Sequence, residues 1–165
     1  MIYYFAFGSN MSPRQTPRRC PGARVLGDAR LEDWRFWITT RGGASIVPEK
    51  GAVTHGVLWR FEPHHVALMD RWEGVTAGVY RRVWLRVAYS PRGMVTALTY
   101  IADGRWPGIA KANYINSAIL VGAEHFGLPE AYCGEIRSWL PRRPIAANEA
   151  YRGRRTPKPA RDQRR

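Results

Sequence analysis

The chain opens on a run of apolar and aromatic residues that stops at a glycine: Ile2 to Phe7 is followed by Gly8-Ser9-Asn10-Met11. Aromatic and β-branched residues suit a buried strand, and Gly-Ser-Asn is turn chemistry. The stretch predicts a central strand ending in a tight loop. Gly8 lets the backbone approach a ligand closely or take a positive φ. Successive backbone N–H groups in such a turn make a concavity suited to an anion. Taken alone, these residues fit an ordinary strand and turn just as well.

Beyond this turn the chain reads as many short elements. Pro13, Pro17 and Pro21 interrupt the basic segment Arg14 to Arg24, which reads as an irregular, solvated excursion, with arginines facing an acidic ligand as the alternative. Ala23–Leu31 and Trp34–Thr40 read as two strands, the second with Trp34, Phe36 and Ile38 on one face. Ser45–Val47 reads as a short pairing segment before Pro48. Gly51–Phe61 has apolar residues on both faces, as a central strand does. Pro63 opens a helix, where its missing N–H does no harm. Val66, Met69 and Trp72 line one face of it, and Gly74 stops it.

Val79–Tyr89 is the clearest strand. Ser90-Pro91-Arg92-Gly93 turns it back into Met94–Ile101 as a hairpin. Trp106-Pro107 leads into a helix over Ala112–Phe126, stopped by Gly127. Pro129 starts another, with Tyr132, Ile136 and Leu140 at four-residue spacing, ended by Pro141. Strands first, one inserted helix, a hairpin and C-terminal helices predict an α+β fold with a mainly antiparallel, barrel-like sheet.

Composition bounds the partners. Residues 1–140 read as one domain, and 141–165 as a flexible Pro- and Arg-rich tail with too few apolar residues to order itself. Of the net charge of +13, the tail holds +7, from nine Lys/Arg against Glu149 and Asp162. This charge suits solubility or a weak nucleic-acid contact through the tail, and does not report on the chemistry of the body. There is no leader pattern and no long apolar run, so the expectation is a soluble cytoplasmic protein without a membrane partner. Cys20 and Cys133 lack metal-type spacing and fit a reducing compartment, with a single disulfide as the alternative.

No Ser/His/Asp or Cys/His set, P-loop or GxGxxG is present. His64-His65 reads as a solvent-facing pair without a third ligand, and His55 and His125 are isolated. The remaining candidate is the block Trp72-Glu73-Gly74-Val75-Thr76-Ala77-Gly78-Val79-Tyr80. A carboxylate at the end of a helix is disfavoured by the dipole, and partial burial adds to this, so both raise its pKa. A glutamate tuned upward is what a general base that later returns its proton requires. The alternative is an exposed helix-end Glu. Asp70, one turn earlier, reads as a surface charge.

Taken together, Tyr4-Phe5-Ala6-Phe7-Gly8-Ser9-Asn10-Met11 and the Glu-Gly-(x)5-Tyr block about 65 residues on resemble the γ-glutamylcyclotransferase-like, or AIG2-like, family. The Tyr-rich segment Tyr114 to Tyr132 is similar too, and the resemblance spans roughly residues 2–140. It implies a small mixed α/β barrel with the pocket at its mouth. It implies that Gly8, Ser9 and Asn10 cradle a γ-glutamyl group, with Met11 closing the turn. Glu73 matches the catalytic glutamate, and Tyr80 matches a pocket-lining tyrosine. Phe7 replaces the family's usual Tyr and removes a hydroxyl from the pocket wall.

The implied reaction is cyclisation of a γ-glutamyl amide to 5-oxoproline by the substrate's own α-amino group, with Glu73 as base and then acid and no metal or cofactor. An intramolecular nucleophile has a large effective concentration, which agrees with the missing nucleophile set. A non-catalytic protein that binds a small acid or regulates on the same scaffold is the alternative, and a homodimer stays open.

Overall fold

The computed structural model describes residues 1–102 and 107–140. The tail at 141–165 and Trp106 lie outside the described residues. The strands are β1 (Ile2–Ala6), β2 (Arg24–Ile38), β3 (Ala44–Phe61), β4 (Arg81–Tyr89) and β5 (Gly93–Ile101). They close into a barrel in the order β1-β3-β2-β4-β5, shut by a parallel contact between β1 and β5 at Tyr4 and Leu98. The other pairings are antiparallel, as expected for a hairpin-rich sequence.

β1 therefore sits between β3 and β5, a central strand as its composition predicts. Tyr4, Phe5 and Ala6 are buried, and Phe5 packs into the core with Phe36, Leu58, Trp59, Phe61 and Leu98. Burying each of these large side chains contributes about 1.5–3 kcal/mol. Gly56 in β3 makes room for β1, since a Cβ there would lie 2.3 Å from the carbonyl oxygen of Ala6.

Two pairs of predicted short strands are each one long strand. β2 joins the two segments read as Ala23–Leu31 and Trp34–Thr40 into one strand from Arg24 to Ile38, with bulges at Val25/Gly27 and Glu32/Trp34, and Asp33 takes φ 62°. β3 runs through Pro48, which pairs with Trp34. Among the described residues, β3 pairs over that half only with β2, so the missing N–H of the proline breaks no second ladder. The excursion after the first turn also differs, because α1 (Gln15–Arg19) forms within it. Pro17 is its third residue, within the first turn where proline is tolerated.

The inserted helix is α2 (Pro63–Glu73), stopped by Gly74 at φ 63°. Its inward face is not Val66, Met69 and Trp72. Met69 is buried, but so is His65, whereas Trp72 is 60% exposed. His65, Met69 and Glu73 recur at four-residue spacing and share the face toward the barrel. His65 is therefore not solvated: its Nδ1 accepts the Glu62 N–H at 3.0 Å and its Nε2 lies 2.9 Å from the Pro21 carbonyl oxygen.

The C-terminal helices are α3 (Ala112–Tyr114), a π-helical segment (Ile115–Leu120), α4 (Val121–His125) and α5 (Glu130–Ser138). The first three form one continuous rod where a single helix was predicted. Cys20 and Cys133 are both free and buried, so there is no disulfide between them. Burial pushes the Cys20 thiol up to about 11. Among the described residues, no helix is long and apolar enough to cross a membrane.

Candidate functional site

The turn after β1 is a single 3₁₀ turn over Ser9–Met11, closed by Met11 N–H to Gly8 O and Ser12 N–H to Ser9 O, each at 3.0 Å. Ser9 and Asn10 open this turn, so their own N–H groups have no partner within it. Gly8 keeps a negative φ of −114°, so the requirement on it is close approach. A Cβ there would lie 3.1 Å from Cβ of Ala44.

The turn is fixed from three sides. Thr16 Oγ1 donates to Asn10 O at 2.8 Å, and Gln15 Nε2 donates to Ser9 Oγ at 2.8 Å. Gly122 on α4 lies against the backbone of Met11 and Ser12. Met11 is wholly buried in the core under the turn and does not line the cleft.

Beside the turn lies a small cleft. Phe7, Gly8, Ser9 and Asn10 line it together with Glu73 and Tyr80, so the structure gathers every predicted site residue except Met11. Tyr80 donates its hydroxyl to Ala44 O at 2.9 Å, and Tyr114 accepts from Ala44 N–H at 3.3 Å. The two phenols thus pin the backbone that backs Gly8. Both hydroxyls have raised pKa values, with burial as the main cause.

Glu73 enters through the geometry of α2. A Schellman-type end, with Val75 N–H to Asp70 O at 3.0 Å and Gly74 N–H to Arg71 O at 3.3 Å, fixes the last turn. The spacing from His65 and Met69 then carries the carboxylate inward, where the side chain is 13% exposed. Asn10 Nδ2 donates to Oε1 at 2.8 Å, and Arg19 approaches the same oxygen at 3.5 Å. Among the described residues, Oε2 accepts no hydrogen bond. Burial raises the pKa of Glu73, and the bond from Asn10 and the charge of Arg19 pull the other way. This is a poised carboxylate next to the leading N–H groups of the turn, which can take up a proton and return it beside a developing negative charge.

Asp70 is not a free surface charge. It accepts from Arg82 Nε and from the Tyr100 hydroxyl, each at 2.8 Å. Sequence reasoning missed Tyr4, Tyr100, Tyr114, Gln15 and Arg19. Tyr4 lies two positions from Ala6 on the same strand face, yet nothing in strand periodicity separates a cleft tyrosine from a core one. Arg19 is one of four arginines in its segment, and only the α1 fold selects it.

Comparison with known proteins agrees with this architecture. A model of the AIG2-like family matches residues 54–136. Gamma-glutamylcyclotransferase from Mus musculus is 28% identical over 151 residues, covering 84% of this chain and 78% of the relative. The Homo sapiens protein of the same name is 28% identical over 148 residues, with the same coverage of 84% and 78%. A solved structure of a gamma-glutamyl cyclotransferase superposes with a TM-score of 0.78 at 24% identity, over 88% of this chain and 91% of that one.

Proposed function

The chain belongs to the AIG2-like family, and on that premise we propose that it is a γ-glutamylcyclotransferase that releases 5-oxoproline from γ-glutamyl amides. The observation that carries the reading is the buried carboxylate of Glu73 hydrogen-bonded to Asn10 of the glycine turn at 2.8 Å. The relatives named gamma-glutamylcyclotransferase support it.

The chemistry rests on what the substrate brings. A γ-glutamyl amide carries an α-amino group that reaches its own γ-carbonyl carbon by closing a five-membered ring. At neutral pH the group is an ammonium and cannot attack. Glu73 takes one proton from it, and the free amine adds to the γ-carbonyl carbon. The carbonyl electron pair moves to oxygen, and backbone N–H groups of the Gly8–Asn10 turn stabilise that charge. The intermediate collapses with cleavage of the original amide C–N bond. The protonated Glu73 supplies a proton to the departing amine, and its carboxylate then passes the second hydrogen of the ring nitrogen to that amine, which leaves as an ammonium, so Glu73 ends in its starting state. Products are 5-oxoproline and a free amine.

Phe7, Ser9 and Tyr80 shape the wall around the γ-glutamyl group in this reading. The raised pKa of Glu73 suits it to both halves of the cycle, because a weakly basic carboxylate would not hold the proton long enough to return it.

The test is a mass-spectrometric screen for 5-oxoproline using purified protein, a γ-glutamyl peptide and amine panel, and Glu73→Gln as the control. Release by the wild type and none by folded Glu73→Gln supports the reading. Equal turnover in both removes Glu73 from the mechanism. No release from any substrate, together with calorimetric binding of a small carboxylate, favours the binding-protein alternative that the absent hydroxyl of Phe7 suggests.

A further inference from the structure

Arg19, the last residue of α1, is the one arginine of its segment drawn into the site. Its Nη1 donates to Asn10 Oδ1 at 2.8 Å and lies 3.5 Å from Glu73 Oε1. Its guanidinium carbon stands 5.0 Å from the ring centroid of Trp72. That contact gives a role to an aromatic side chain that α2 leaves 60% exposed. Stacking of this kind holds a guanidinium in one orientation while leaving its edge free to donate.

The consequence falls on Asn10. A carboxamide has one accepting oxygen and one nitrogen with two donors. Oδ1 receives Arg19 and also Gln15 Nε2 at 3.2 Å. The nitrogen is left to face the Tyr4 hydroxyl at 2.7 Å and Glu73 Oε1 at 2.8 Å. Rotating the amide by half a turn would set its oxygen against a carboxylate and its NH₂ against a guanidinium. Arg19 thus selects the amide orientation that donates to Glu73.

Among the described residues, the other groups around Glu73 bring no opposing charge. Tyr4 on β1, Tyr80 ahead of β4, Tyr100 on β5 and Tyr114 on α3 are phenols whose ionisation burial disfavours. Asp70, on the same helix, is held by Arg82 and Tyr100. Among the described residues, the ion pair of Glu73 is with Arg19.

We propose that Arg19, braced on Trp72, is a positioning residue that sets the Asn10 amide and the Glu73 carboxylate for proton transfer. The proposal rests on the reading of Glu73 as the base. It therefore needs a readout that does not depend on turnover.

The experiment follows the carboxylate of Glu73 by NMR titration of substrate-free protein labelled with ¹³C-glutamate, the signal being assigned by its loss in Glu73→Gln. Arg19→Met is expected to move the titration to higher pH, Arg19→Lys to restore most of the shift, and Trp72→Leu to move it the same way by less. Release of 5-oxoproline is expected to fall about ten- to a hundredfold in Arg19→Met, with the acid limb of the kcat/KM profile displaced upward. An unmoved titration in folded Arg19→Met overturns the proposal whatever the activity. If the wild type shows no turnover, the base reading fails, while the titration still decides the part played by Arg19. If Arg19→Met does not fold, Trp72→Leu decides, and an unmoved titration there overturns the proposal.

Discussion

Asn10 Nδ2 lies 2.8 Å from Glu73 Oε1, a hydrogen bond between residues 63 positions apart. It ties the turn after β1 to the last residue of α2, so neither can shift without the other. It also divides the carboxylate. One oxygen is anchored, and the other is left without a partner among the described residues.

Replacing that donor by a like charge tests the division. Asn10→Asp is nearly isosteric, but it sets a second carboxylate against the first. Like charges at this distance raise the pKa of the pair. In 5-oxoproline release, kcat/KM at pH 7 is expected to fall about a hundredfold or more, with partial recovery as the pH is raised. A pH-independent loss would point to simple misplacement.

Glu73→Gln is expected to lower kcat about 10²–10⁴-fold, the usual range for removing a general base. The same change is expected to stabilise the protein. The folded pKa of Glu73 is raised by burial above its ordinary 4.5, so the charged form is the costly one. Below pH 4.5 the carboxyl is protonated in both folded and unfolded states. As pH rises through the folded pKa, the wild type loses stability that the glutamine variant keeps. Thermal melts at pH 8 and pH 4 are therefore expected to show a higher Tm for Glu73→Gln at pH 8 and a gap that closes at pH 4.

Asp70 behaves in the opposite sense. The hydrogen bond from Arg82 is the main cause of a lowered pKa, the bond from Tyr100 adds to it, and burial opposes both. Its contribution to stability is present above the ordinary 3.8 and is lost as pH falls through the folded value. Arg82 is 47% exposed, which screens the pair. Asp70→Asn is expected to cost about 1–2 kcal/mol in urea unfolding at pH 7, and less as the medium becomes more acid.

Gly122 has no space for a side chain, because a Cβ would stand 2.7 Å from both C and Cβ of Met11. Gly122→Ala is expected to destabilise by about 1–3 kcal/mol and to lower kcat/KM by pushing the turn out of place. Gly134→Ala, in α5 with nothing within 4 Å, is the control. It is expected to stabilise by about 0.5–1 kcal/mol without touching activity.

The elements that could be read from the sequence were those with punctuation. β1 ends on Gly8-Ser9-Asn10, α2 starts at Pro63 and stops at Gly74, and β4 returns into β5 through Ser90–Gly93. What failed was phase. A bulge adds one residue to a strand and shifts the alternation, so β2 looked like two strands where it continues through Asp33. On α2 the three-residue spacing of Val66, Met69 and Trp72 concealed the four-residue row of His65, Met69 and Glu73, because histidine and glutamate do not announce burial. The glycine turn and Glu73 were candidates by residue type, and the resemblance of the two stretches together to a known family singled them out. Arg19 and Gln15 were not, since their place depends on a five-residue helix among prolines.

The position of β1 sets the order in which this molecule can be completed. Its neighbours are β3, at residues 57–61, and β5, at Leu98. β1 leaves the ribosome before either neighbour, and the strand stays without one flank until about ninety further residues have emerged. The glycine turn takes its final shape only after that closure and the arrival of α4 beneath it. A nascent chain stalled ahead of β5 would present an aromatic, half-paired edge to solvent or to a chaperone. Slow codons or chaperone supply between β3 and β5 would then govern yield more than the stability of the finished barrel.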